Sequence, residues 1–143
     1  MSMPPQPLQE AEEINLLIVD DQPANLMSME AVLESPEYHI FTALSGAEAL
    51  KRLLERDFAL ILLDIQMPGM DGFECARLIK QSDRSRHIPI IFVTAIFKED
   101  KYIFSGYSLG AVDYICKPVD AQILKAKVAR SWTSIARTRP SRA

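Results

Sequence analysis

Cysteine is scarce in this 143-residue sequence: only Cys75 and Cys116 occur, with no CxxC and no histidine at ligand spacing. A disulfide framework and a zinc site are both argued against, a reducing cytoplasm is the natural setting, and both cysteines read as buried apolar residues. Long hydrophobic runs are missing too. The longest are about six residues, as over 58–63, where a bilayer span needs about 20, so no transmembrane helix fits. There is no surplus of base, since 16 Lys and Arg stand against 19 Asp and Glu for a net charge of −3, and a general nucleic-acid binder needs that surplus. The five glycines form neither GxGxxG nor GxxxxGK[ST]. The start has no basic residues and no apolar core; Pro4, Pro5 and Pro7 lead to Glu10, Glu12 and Glu13, which is not a secretory signal. Residues 1–13 read as a disordered leader. What the sequence does have is an apolar fraction of 48% beside 24% charged residues, enough for the packed core of one ordinary domain.

Short apolar runs alternate with stretches of helical period. Leu16-Leu17-Ile18-Val19 ends at Asp20-Asp21, and a helix follows in which Pro23 suits the first turn and Leu26, Met29 and Leu33 recur at helical spacing. Tyr38 to Thr42 is rich in strand formers and precedes Ser45-Gly46-Ala47-Glu48, a capping box. The third run, 58–63, is apolar without alternation, as suits a central parallel strand, and stops at Asp64. Pro68-Gly69 then turns the chain, and Asp71 with Glu74 forms a second capping box. The fourth run, 88–93, ends at Thr94-Ala95; a helix over about 98–109 stops at Gly110. The fifth, 112–116, ends at Lys117-Pro118, and Asp120 caps a last helix carrying Leu124, Val128 and Ile135. Five strands each followed by a helix imply an α/β fold: a doubly wound, five-stranded parallel sheet with helices on both faces. Such sheets bind ligands beyond the carboxyl ends of their strands.

Asp20, Asp21, Asp64, Thr94 and Lys117 all end apolar runs, and adjacent strands bring them to one edge. Any one of them is a strand end meeting solvent. Three acids, a hydroxyl and an ammonium together are not. Three carboxylates in one cleft raise one another's pKa unless a cation sits among them, and Mg²⁺ with oxygen ligands is the usual relief. The set suits phosphoryl chemistry on a carboxylate, with Asp64 the best nucleophile because it lies between the acid pair and the Thr and Lys strands.

These stretches, with Leu62-Leu63-Asp64-Ile65-Gln66-Met67-Pro68-Gly69-Met70-Asp71-Gly72 and Gly110-Ala111-Val112-Asp113-Tyr114-Ile115-Cys116-Lys117-Pro118, resemble the receiver domains of two-component response regulators. The resemblance covers about 14–137, leaving 138–143 as a tail or linker, and implies the flavodoxin-like strand order 2-1-3-4-5. It implies that Asp64 takes a phosphoryl group from a phosphohistidine on a partner, a histidine kinase or histidine phosphotransfer protein. It further implies that Asp21, Asp64 and the backbone carbonyl of Gln66 bind Mg²⁺ directly, with Asp20 acting through water. Thr94 and Lys117 would contact phosphate oxygens, Tyr114 would be the aromatic switch, and the Lys117-Pro118 peptide would be cis. The chain is then a phosphoacceptor with at most slow self-catalysed phosphorylation and dephosphorylation, not a turnover enzyme.

A haloacid-dehalogenase-type phosphatase typically has a second Asp two residues after its nucleophile, where this sequence has Gln66. A flavin or nucleotide carrier lacks its phosphate loop here. A degenerate receiver acting only as a protein-binding module is the remaining alternative, and the intact acid set speaks against it. His39, His87 and the basic run Lys125, Lys127, Arg130, Arg137, Arg139 and Arg142 read as surface, and Trp132 as helix packing. The phrase Asp20-Asp21-Gln22-Pro23-Ala24-Asn25-Leu26 is similar to receivers joined to kinase or other signalling modules, which favours a module with a fused kinase or effector domain over a stand-alone shuttle. A second copy is expected to dock through the fourth helix, fifth strand and last helix, around residues 102–107; no nucleic-acid or membrane partner is expected.

Overall fold

The computed structural model describes residues 14–95 and 111–138. Strands β1 (Ile14–Val19), β2 (Tyr38–Ala43), β3 (Leu60–Asp64), β4 (Ile90–Thr94) and β5 (Ala111–Cys116) form one sheet in the order β2-β1-β3-β4-β5, every pairing parallel. The order is the expected one. The helix expected over 98–109, its Gly110 cap and the surface around 102–107 lie outside the described residues, as do the leader and residues 139–143.

β3 and β4 are buried at every position, which is what an unalternating apolar run specifies when both faces of a sheet are covered. Successive side chains serve opposite cores. Leu17, Val19, Ile61, Leu63 and Phe92 pack with Ala49, Leu53, Cys75 and Ile79 of helices α2 (Gly46–Glu55) and α3 (Gly72–Gln81). Leu16, Ile18, Leu62, Ile91 and Val93 pack with Leu26, Met29, Leu33, Leu124 and Val128 of α1 (Pro23–Leu33) and α4 (Ala121–Thr138). Among the described residues, two helices therefore pack on each face. Cys75 is buried, and burial pushes its thiol up to about 12. Cys116, expected in the interior, is only half-buried on edge strand β5.

The apolar runs start before the strands: Phe58 and Ala59 precede β3, and Ile88 and Pro89 precede β4. Phe58 is still buried, edge-on to Phe41 with ring centroids 5.5 Å apart, so its hydrophobicity reports packing rather than strand pairing. Caps are those the sequence announces. Ser45 Oγ accepts from Glu48 N at 3.1 Å, Asp71 Oδ1 from Glu74 N at 2.8 Å and Asp120 Oδ1 from Ile123 N at 3.0 Å. The first capping box closes one residue early, because the Glu48 carboxylate accepts from Leu44 N at 2.8 Å rather than from Ser45 N. Trp132 of α4 donates its Nε1–H to the Tyr38 hydroxyl at 2.9 Å, pinning the far end of that helix to the start of β2. The Lys117-Pro118 peptide is cis.

Candidate functional site

Register decides which residues meet. Val19 aligns with Ala43 and Leu63, Asp64 with Val93, and Thr94 with Cys116. The ladder continues past the strand ends, with Asp20 N donating to Ala43 O (3.1 Å), Ile65 N to Val93 O (3.0 Å) and Lys117 N to Thr94 O (2.7 Å). Asp20, Asp64, Thr94 and Lys117 therefore leave the sheet at one edge.

The three acids converge as expected: one carboxylate oxygen each from Asp20, Asp21 and Asp64 lies within 4.8 Å of the other two. Asp20 has no exposed surface and Asp64 2%, while Asp21 is half-buried. Lys117 Nζ reaches both buried acids, 3.3 Å from Asp20 Oδ2 and 3.6 Å from Asp64 Oδ1. Thr94 is buried at the end of β4, and Tyr114 is half-buried on β5, packed against the α2/α3 core. Gln66 contributes its backbone N–H, 3.2 Å from Asp64 Oδ1.

Burial is the largest influence on Asp64, raising its pKa from 3.8 to about 6; Asp20 and more weakly Asp21 push the same way, while Lys117 and the Gln66 N–H oppose them. The cluster also carries unbalanced charge: among the described residues three carboxylates gather and one ammonium reaches two of them. An all-oxygen donor set with unbalanced negative charge fits a hard divalent cation.

α3 begins hard against this edge. Gly72 N donates to Ile65 O at 2.8 Å, and a Cβ on Gly72 would fall against the Asp64 carbonyl oxygen and 2.6 Å from Ile65 Cα. The turn before it passes through Gly69 at φ 75°, in the left-handed region that glycine adopts at no steric cost.

Sequence reading missed Asn25. Its Nδ2 lies 3.3 Å from both carboxylate oxygens of Asp20. The available signal was an amide one turn into the helix that an acid pair precedes. Part of the basic run also has a partner on the fold: Asp113 accepts from Lys127 at 2.8 Å and lies 3.7 Å from the largely exposed Arg130.

The family model described as "Response regulator receiver domain" matches residues 16–129. A probable cyclic di-GMP phosphodiesterase of Vibrio cholerae is 41% identical over 122 residues, which are 85% of this chain and 27% of that protein. The signal transduction histidine-protein kinase BarA of Shigella flexneri is 39% identical over 114 residues, 78% of this chain and 12% of the kinase. The chain thus spans about a quarter or less of these two relatives. Among solved structures, a CheY-like receiver domain protein from Methanospirillum hungatei superposes with a TM-score of 0.80 at 28% identity, covering 89% of this chain and 99% of its own. Among the described residues no helix is long and apolar enough to cross a membrane. With its strand order, its cluster of three acids and its matched span in agreement, the chain belongs to the response regulator receiver domain family.

Proposed function

We propose that this domain is a phosphoacceptor of a two-component relay: Asp64 takes a phosphoryl group from a phosphohistidine on a histidine kinase or phosphotransfer protein, and the fold changes conformation in response. The observation that carries this reading is the burial of Asp64 beside two further acids and the Lys117 ammonium. An Asp64 oxygen forms the new bond to phosphorus as the N–P bond of the phosphohistidine breaks and its electron pair returns to the imidazole. No amine, thiol or hydroxyl needs deprotonation, so the protein contributes position and charge balance.

Asp21, Asp64 and the carbonyl of Gln66 would hold Mg²⁺, with Asp20 acting through water. When bound, the ion neutralises charge on the phosphoryl oxygens. Lys117, now shared by Asp20 and Asp64, is placed to turn to the incoming group, and Thr94 supplies a hydroxyl from the neighbouring strand. Tyr114 stands at the register position of Phe92, two residues before Thr94 on the adjacent strand, so a shift of the Thr94 end of β4 is felt at its ring. This transfer belongs to the cytoplasm, in a protein whose further kinase or effector modules vary as those of the two relatives do.

The test is labelling with acetyl phosphate and Mg²⁺, read by intact mass. One phosphoryl group is expected on the wild type and none on Asp64→Asn. Equal labelling of the variant would overturn the assignment, and a wild type taking up neither phosphate nor beryllofluoride would make the domain a binding module only.

A further inference from the structure

Asp20 has no exposed surface, so its carboxylate draws its partners from the protein or from what the closed cluster holds. A carboxylate offers about four such positions. On Oδ1 they are taken by Gln22 N at 2.9 Å and Asn25 Nδ2 at 3.3 Å; on Oδ2 by Asn25 Nδ2 at 3.3 Å and Lys117 Nζ at 3.3 Å. Three donor groups thus tie both oxygens to the protein, while one Asp20 oxygen still lies within 4.8 Å of an oxygen each of Asp21 and Asp64, near enough to share a water with them. Asp64 differs: its contacts among the described residues, Gln66 N and Lys117 Nζ, both fall on Oδ1. The open carboxylate oxygens of the cluster are thus those of Asp64 and Asp21.

Of the groups on Asp20, Lys117 is a long side chain shared with a second acid, and Gln22 N is backbone. Asn25 is the side chain that bridges both oxygens. It is held in the first turn of α1, where its own N–H donates to Gln22 O at 3.0 Å, next to buried Leu26. Its amide is neutral, so it anchors a buried anion without repelling a cation nearby.

We propose that Asn25 is a positioning residue that keeps Asp20 turned away from direct contact with the divalent cation, and so weakens and selects the ion that the acid cluster binds. The proposal rests on the metal reading above. With Asn25 in place the ion meets two carboxylates directly, a sparse shell that suits Mg²⁺ and its retained waters. Without Asn25 an acceptor position opens on each Asp20 oxygen, and a third carboxylate can join, which favours the larger and more flexibly coordinated Ca²⁺.

The experiment is calorimetric titration of the folded, unphosphorylated domain with magnesium chloride and with calcium chloride. Asn25→Ala places the best helix former in a helical turn, and Asn25→Ser serves equally if that variant fails to fold. The expected result is Mg²⁺ binding about fivefold tighter than in the wild type, with a larger gain for Ca²⁺. In an Asp20→Asn background the same substitution should leave both affinities unchanged, since no carboxylate is there to be released. Unchanged or weaker binding in Asn25→Ala, including a fall in Tm alone, overturns the proposal, as does an equal gain in the Asp20→Asn background. A wild type that binds neither ion overturns the metal reading together with this one. Wild-type binding that the variant does not alter overturns this one alone.

Discussion

Asp64 is costly to the fold that presents it. Its folded-state pKa of about 6 lies above the 3.8 of an unperturbed carboxyl, so between those values the native state holds a proton that the unfolded chain has released. Stability is therefore highest below that window, falls as the pH rises through it, and stays reduced at neutral pH. Asp64→Asn removes the titration. The variant is expected to resist urea by about 2 kcal/mol more than the wild type at about pH 7.5, with the gap closing towards about pH 4. Saturating Mg²⁺ should narrow the neutral-pH gap by stabilising only the wild type. A gap independent of pH would show that Asp64 is not held in its protonated form by its surroundings.

For a whole element, the start of α3 sets the tolerance of the site. Asp71 caps the helix, and losing that bond in Asp71→Ala should cost about 1 kcal/mol while leaving Asp64 in place. Gly72→Ala is a different kind of change. Its methyl group would collide with the backbone of Asp64 and Ile65, neither of which is a flexible side-chain end. Urea unfolding should show a loss of about 2 kcal/mol or more, and labelling by acetyl phosphate should fall with it. Gly72→Ala retaining both would mean that α3 can draw back from β3 without moving the nucleophile. The N-caps at Ser45 and Asp71 were legible because a side chain bonding three residues away is a local event. The approach of Gly72 to β3 was not, because it depends on where the turn through Gly69 sets the helix down.

Across the molecule, legibility followed the same division. Polar stops after four of the five apolar runs announced the edge at which Asp20, Asp21, Asp64, Thr94 and Lys117 gather, since a run must end where a strand leaves the core. The strand order came from the resemblance, as periodicity does not say which strands are neighbours. The Asn25 amide on Asp20, five residues away, left only a faint local signal, and the Trp132 indole on the Tyr38 hydroxyl, 94 residues away, left none. The latter contact ties α4 to the sheet edge, where the rings meet edge to face with centroids 6.3 Å apart. Tyr38→Phe keeps the ring and loses the acceptor, so a loss of about 1 kcal/mol is expected, with altered emission from the single tryptophan. Unchanged emission and stability would mean that solvent replaces the hydroxyl.

Lys117 and Asp20 meet across 97 residues of chain, and between the strands that carry them β3 and β4 must be in register. A chain emerging during synthesis has its first two acids early and its ammonium last. Before β5 docks, Asp20 lacks the Lys117 ammonium, and Asp64 lacks a finished wall beside it. A nascent or nicked molecule therefore presents acids without the charge balance that phosphoryl acceptance requires. On the function proposed above, folding itself gates the signal: only a completed domain receives it, and partly built copies stay silent.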